Sequence, residues 1–362
     1  MKLSNPPNPR TVALLGALAV ATLGLTACGG GSSSPSSSAP VPSAVSPAQL
    51  KGVTLRVGDQ SGNSAQALLR ASGELNNLPY TIQWSTFTSG PPMLQADAAG
   101  AIDLGQVGNT PPIFAAAAND KVDVVAAEQS PVGDTILVPA NSPIHTLADL
   151  KGRTIAVAQG SSANGTLLNT LNKAGLSPTD VKLAYLQPGN ALTAFGQHQV
   201  DAWAVWQPYV AEAIQQDGAR QLITGQDSQS GTGLAGGTQL SNGYSVQVAS
   251  RAALADPGKN AAIADYVVRI AKAYAWAKTH QSQFAQLWAQ ETGLPLATTT
   301  AAAADIVLHP VLLDNTLINS EQQLADEFTS ANQIPGKITF SDFVDHRYDS
   351  VVKTYLAGLG AQ

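Results

Sequence analysis

Three short stretches have the residue types to hold an anion without any cationic side chain. They are Ser89-Gly90-Pro91-Pro92, Gly108-Asn109-Thr110-Pro111-Pro112 and Gly160-Ser161-Ser162-Ala163-Asn164, and each stands between a strand-like and a helix-like run. Ser, Asn and Thr cap helix starts, and Pro is tolerated in the first turn because its missing N–H has no partner there. The N–H groups left over, together with the helix dipole, make such a start an anion site. Any one stretch also reads as an ordinary capped helix. Three at the carboxyl ends of strands, where open α/β sheets bind ligands, predict a shared site. Ser89, Gly90, Asn109, Thr110, Ser161, Ser162 and Ala163 are the candidate contacts. Gln60 and Asn63, at the first such junction, offer amide donors or plain capping. Trp203 and Trp206 differ by three and so face opposite sides of a strand. Trp206, beside Gln207-Pro208 where the strand stops, is the one expected at the cleft, against an apolar part of a ligand.

Composition removes other chemistries. The 362 residues carry 12% charged side chains, 19 basic and 25 acidic, for a net charge of −6. Ordinary proteins carry roughly 25% charged residues, and no basic patch exists here to neutralise nucleic-acid phosphates. The five His residues never stand three to five apart, and the single Cys excludes a disulfide framework or a thiolate zinc cage. No metal and no cofactor is expected. No Gly-x-Ser-x-Gly elbow occurs, so a serine hydrolase is disfavoured.

The elements that position the junctions alternate. Strands are predicted at 53–58, 80–87, 103–107, 123–128, 135–139, 153–159, 181–186, 200–206, 221–224 and 244–250, with helices between most of them. This βαβ alternation predicts mainly parallel sheets, and strands are expected to stop after Ser250. Long helices follow at 261–279, 282–292, 321–332 and 342–357. Two strand series suggest two lobes, with the chain crossing at Asn141-Ser142-Pro143 and again near 231–243. The expected division is 51–138 plus 244–362 for lobe 1 and 139–243 for lobe 2.

The N-terminus reads as an address. Lys2 and Arg10 precede the apolar run 11–25, which ends at Leu25-Thr26-Ala27-Cys28-Gly29. Residues 1–27 resemble a bacterial lipoprotein signal whose lipobox directs acylation of Cys28. Residues 28–50, rich in Gly, Ser and Pro, read as a tether too polar to fold. That predicts an extracytoplasmic protein held to a membrane by a lipid anchor.

Taken in order, the three junctions, Leu147-Ala148-Asp149-Leu150-Lys151-Gly152-Arg153 and Asp201-Ala202-Trp203-Ala204-Val205-Trp206-Gln207-Pro208-Tyr209 resemble the substrate-binding proteins of aliphatic sulfonate ABC importers. The wider group includes taurine, nitrate and thiamine-precursor binders, and the resemblance runs from about residue 55 to about residue 250. It implies an α/β, two-lobed type II periplasmic binding protein fold with a ligand cleft between the lobes and a helical C-terminal tail. It implies a non-enzymatic monomer that hands a small alkanesulfonate-like anion to an ABC permease and ATPase. Asn242 and Tyr244 look like the family's Asn-rich return segment, which adds them to the candidate contacts. Three positions depart from the family pattern: Gln207 where Asp is usual, Asn164 where His is usual, and Gly108-Asn109 where Gly-Asp is more frequent. A desulfinase relative uses a Cys nucleophile, whereas the one Cys here stands in the lipobox. A sensor on the same fold is the remaining rival.

Overall fold

The computed structural model describes residues 47–359, apart from 62, 63, 233, 235, 236 and 307. The signal segment 1–27, Cys28, Asn63 and the tether up to residue 46 lie outside the described residues. The first lobe takes α1 (Pro47–Leu50), β1 (Thr54–Gln60), α2 (Ala65–Ala71), β2 (Thr81–Phe87), α3 (Gly90–Ala98), β3 (Leu104–Gly108), α4 (Thr110–Ala117) and β4 (Val122–Gln129). The second takes β5 (Thr135–Val138), β6 (Thr154–Val157), α5 (Ser162–Lys173), β7 (Lys182–Tyr185), α6 (Pro188–Gly196), β8 (Ala202–Val205), α7 (Tyr209–Asp217), β9 (Arg220–Ile223) and α8 (Gly225–Ser230). The chain returns through β10 (Tyr244–Ser250) and α9 (Arg251–Ala255). It continues through α10 (Pro257–Ala277), α11 (Gln281–Thr292), α12 (Leu296–Asp305), β11 (His309–Val311), α13 (Asn315–Ser330) and α14 (Asp349–Leu359).

Two sheets result, ordered β11-β4-β10-β3-β1-β2 and β7-β6-β8-β5-β9. The sheets are mixed, which corrects the expectation of mainly parallel ones. β1 pairs parallel with β2 and β3, and β6 with β7 and β8, whereas β10 and β5 run antiparallel to both neighbours. The reason is the crossing. In the βαβ runs a strand that follows a helix points its carboxyl end at the cleft, but a strand that arrives straight from the other lobe starts there, as does the short β11.

The lobe boundary also moves. Thr135–Val138 pairs with β8 and β9 of the second sheet, so the chain crosses within 130–134 rather than after residue 138. Asn141-Ser142-Pro143 is a turn inside the second lobe, where the Ser142 N–H bonds the Pro139 carbonyl at 2.9 Å. Strands do not stop at Ser250. The three-residue β11 adds antiparallel to the edge strand β4, too short and Pro-interrupted to be read from pattern. The tether ends sooner than residue 50, because Leu50 is 5% exposed and packs into the first lobe's core.

That core explains the tail. Helix α10 starts at Asp256, whose carboxylate accepts the Lys259 N–H at 2.9 Å, and buries Ile263, Tyr266, Val267, Ile270, Ala273 and Tyr274 at three-to-four spacing. Each large side chain so buried contributes roughly 1.5–3 kcal/mol relative to exposure. Helix α13 has a different task. Its Leu317, Leu324 and Phe328 share one apolar cluster with Ile113 of α4 and Leu168 of α5, so it packs on both lobes. Phe328 meets Phe114 edge-to-face with ring centroids 5.2 Å apart.

Among the described carboxyl groups, desolvation pushes five up furthest. Asp59 and Asp134 rise to about 6, Glu128 to about 7, and Asp97 and Glu321 to about 8. Their unfolded values lie at the ordinary carboxylate level, so between there and pH 8 the folded chain binds more protons than the unfolded one. The stability this supplies is fully present below the unfolded values and is lost as pH rises through 6 to 8. Thermal or urea unfolding is therefore expected to show stability falling from pH 5.5 to pH 8.5, at up to about 1.4 kcal/mol per pH unit for each group in its titration window. A flat or rising profile would contradict it.

Candidate functional site

A cavity of about 120 Å³ opens between the lobes at the carboxyl ends of the βαβ strands. Three helix starts converge on it: Gly90 at α3, Asn109 before α4, and Ser161 and Ser162 at α5. Two come from the first lobe and one from the second. The crossing segments supply more of the wall through Ser130, Val132, Gly133, Asp134, Ser241 and Gly243. The apolar part is Trp206, Pro111, Ile306 and Leu308. Among the described lining residues there is no Lys, Arg or His.

The helix starts come close because small residues stand where they meet. A methyl added at Gly108 would lie 2.7 Å from Ser162 Cβ, and one at Gly90 would lie 2.8 Å from Pro111 Cγ. The α5 turn is organised from within. Ser161 Oγ donates to the Ala158 carbonyl at 2.7 Å and accepts the Asn164 N–H at 3.3 Å, while Asn164 Oδ1 accepts the Gly160 N–H at 3.0 Å. Gly160 has φ +71°, a left-handed conformation that favours glycine. The N–H groups of Ser162 and Ala163, at the first two helical positions, have no intrahelical acceptor.

The buried Asp134 carboxylate faces this turn. Ser162 Oγ donates to its Oδ1 at 2.9 Å and Thr166 Oγ1 to its Oδ2 at 3.0 Å. Burial raises it to about 6, against the lowering effect of these hydroxyls. At neutral pH the cavity therefore holds a negative group beside an N–H-rich helix start. Asp305 stands at the cavity too, and its Oδ2 accepts from Gln207 Nε2 at 2.7 Å, which ties α12 to the end of β8.

Of the predicted contacts, Gln60, Gly90, Asn109, Ser161, Ser162, Trp206 and Tyr244 line the cavity. Trp203 is 1% exposed, packed between Phe195 and Tyr209, whereas Trp206 stands just beyond the end of β8 and reaches the cavity. Four predicted contacts stand behind the wall instead. Ser89 is fully buried, and its Oγ donates across the lobes to Gln187 Oε1 at 2.8 Å. Thr110 Oγ1 donates to Asn109 Oδ1 at 3.0 Å. The Ala163 methyl enters the second lobe's core. Asn242 is engaged by Asn109, Ser320, Glu321 and the Tyr244 N–H. Each has its side chain drawn off by a nearer partner.

Gln60 is set by a deeper network. Its Nε2 donates to the Gln106 carbonyl at 2.8 Å, Gln106 Nε2 donates to Glu128 Oε2 at 3.0 Å, and the Tyr274 hydroxyl donates to Gln106 Oε1 at 2.7 Å. Sequence reading missed Asp134, Asp305, Ile306 and Leu308. Asp134 had a usable signal, an acidic residue beside Gly133 just before an apolar strand. The other three lie in a tail without motifs.

Comparison with known proteins follows this geometry. Residues 75–230 match the family described as ABC transporter, phosphonate, periplasmic substrate-binding protein. A protein of Escherichia coli (strain K12) described as binding aliphatic sulfonates is 37% identical over 78% of this chain and 86% of its own length. A Bacillus subtilis (strain 168) protein of the same description is 28% identical over 83% of this chain and 87% of its own length. The alkanesulfonate-binding protein of Xanthomonas axonopodis pv. citri, solved bound to MOPS, superposes with a TM-score of 0.71 at 31% identity, over 81% of this chain and 98% of that one.

The closeness at Gly108 has a direct consequence. Gly108→Ala is expected to leave each lobe folded but hold them apart, weakening ligand binding at least about tenfold while the ligand-free melting temperature moves little. Calorimetric titration and the solution scattering radius measure the two effects. A parent-like affinity would show that closure does not depend on this contact.

Proposed function

Because the chain belongs to the family of aliphatic sulfonates-binding proteins, the substrate-binding components of ABC transporters, we propose that its cavity captures a small organosulfonate anion outside the cytoplasm. The observation that carries this reading is the convergence of three helix starts on one cavity lined by no cationic side chain. Helix N–H groups stabilise a spread negative charge without a counter-ion to desolvate. The sulfonate head meets the α5 turn, and the alkyl part lies against Trp206, Ile306 and Leu308. A few charge-assisted hydrogen bonds plus apolar burial suffice for micromolar affinity, about −8 kcal/mol. The lobes close over the ligand, and the closed form passes it to the permease and ATPase without catalysis. This reading calls for no second copy of the chain.

Asp134 favours a second reading within the same family. A carboxylate in an anion cavity repels a simple alkanesulfonate but attracts a ligand that also carries an ammonium group, such as taurine. The pH dependence separates the two. Protonating Asp134 as pH falls through about 6 removes repulsion in the first case and attraction in the second.

Lipid attachment belongs to this reading as well. Cys28 in Leu25-Thr26-Ala27-Cys28, followed by a Gly/Ser-rich leash, fits an acylated N-terminus that keeps the receptor near its importer.

Two measurements test these statements. Titration with alkanesulfonates, taurine, sulfate and nitrate at pH 5.5 and 7.5 should give micromolar binding of at least one sulfonate. A simple alkanesulfonate should bind more tightly at the lower pH and an aminosulfonate less tightly, by roughly tenfold for each unit by which the ligand displaces Asp134's midpoint. Asp134→Asn should flatten both profiles, and tighter binding of nitrate than of any sulfonate would sink the proposal. Separately, Cys28→Ser should leave an unacylated, unprocessed precursor. Normal processing of that variant with parent-like incorporation of labelled fatty acid would contradict the anchor.

A further inference from the structure

The tail contributes a buried carboxyl that the site as described leaves unused. Glu321, on α13, is fully buried, and burial raises it to about 8, so at pH 7 it is neutral. Its Oε1 accepts from Asn242 Nδ2 at 2.7 Å, and Ser320 Oγ accepts from the same nitrogen at 3.0 Å. With its NH2 turned to α13, Asn242 presents Oδ1 to the first lobe. That oxygen accepts from Asn109 Nδ2 at 2.8 Å and from the Tyr244 N–H at 3.1 Å. Asn109 Oδ1 in turn accepts from Thr110 Oγ1. Each amide in this row has one orientation that satisfies both neighbours, because its two ends differ only in being donor or acceptor.

The consequence falls on the cavity. Asn109 commits one N–H to Asn242 and keeps a second, in a residue that lines the wall. Reversed, the same amide would turn its carbonyl oxygen to where its N–H groups now stand. We propose that Glu321 is a positioning residue for ligand binding: through Asn242 it fixes the amide of Asn109 so that an N–H, not a carbonyl oxygen, is offered to the ligand. The anion part of this inference rests on the sulfonate reading above. A neutral carboxyl and a carboxamide share the carbonyl acceptor, so Glu321→Gln preserves the row, whereas Glu321→Leu keeps the bulk and removes the acceptor.

The test uses the full chain and methanesulfonate as probe. Side-chain amide resonances of Asn109 and Asn242, assigned by their loss in the Ala variants, report the row in the ligand-free protein. Glu321→Leu should displace or broaden both and weaken methanesulfonate binding by roughly 10- to 150-fold, the loss of one hydrogen bond to a charged group. Glu321→Gln should keep both resonances and bind within about threefold of the parent. In an Asn109→Ala background, Glu321→Leu should cost no further affinity, which a merely structural role would not produce. Asn242→Leu cuts the row at its middle and should give the same loss, so the inference stays testable if Glu321→Leu fails to fold. Unchanged Asn109 resonances in a folded Glu321→Leu protein, parent-like binding by Asn242→Leu, or full additivity with Asn109→Ala would each overturn it. Failure of the unmodified protein to bind any sulfonate would overturn the sulfonate reading instead, and the resonances alone would then decide the role of Glu321.

Discussion

The distance between backbones at the helix starts is the constraint on which the cavity depends. Partial charge at a helix terminus falls off within one turn, so several termini act on one small anion only if they nearly touch. Gly108 lies against Ser162 and Gly90 against Pro111, and a methyl added at Gly165 would come within 2.6 Å of Thr110 Oγ1. None of these three glycines has a positive φ, so they serve approach and not backbone freedom. The lobes are held at this separation by contacts independent of the ligand. Ser89 and Thr88 reach Gln187, Gln207 reaches Asp305, and α13 packs its apolar face on both lobes.

Topology then decides what else lines the cavity. Because β5 and β10 begin at the cleft, the segments leading into them must pass through its wall. Ser130, Val132, Gly133 and Asp134 come from one passage, Ser241 and Gly243 from the other. The βαβ strands β1, β3 and β8 end at the cleft and deliver Gln60, Gly108 and Trp206. A sheet with every strand parallel would bring only helix starts to this end. The passage into antiparallel β5 is what brings the Asp134 carboxylate in among the N–H donors.

Much of this is legible in the sequence. Helix starts are written in local chemistry, and Gly-Ser-Ser and Asn-Thr-Pro-Pro carry their caps with them. The period of a strand sets Trp203 and Trp206 apart, and the Gln207-Pro208 stop beside Trp206 points to it as the one at the cavity. Strand pattern reports that Thr135–Val138 is apolar and extended but not which sheet receives it, and so the lobe boundary was drawn on the wrong side of β5. Ser89 reads as a contact from the helix start it stands at and Asn242 from its likeness to the family's return segment, and neither ground shows where the side chain is drawn. Their partners, Gln187 and Glu321, lie 98 and 79 residues away and leave no local trace. The tail's share, Asp305, Ile306 and Leu308, follows a helix with no signature beyond its apolar spacing.

The amides that depart from the family pattern gain meaning from their partners. Gln207 is tied to Asp305, Asn164 closes the α5 turn on Gly160, and Asn109 is held by Asn242. Gln207 and Asn164 are spent on the protein's own geometry, while Asn109 keeps one N–H beyond the one it gives Asn242. Amides in place of acids at Gln207 and Asn109 do not leave the cavity free of negative charge. Asp134 is still there and takes up the hydroxyls of Ser162 and Thr166. Ser161 likewise spends its hydroxyl on the Ala158 carbonyl. A ligand arriving at this turn finds its side-chain donors already engaged. What remains is the backbone, the N–H groups that the first turn of a helix cannot satisfy by itself, and an anion held there is held by the fold itself.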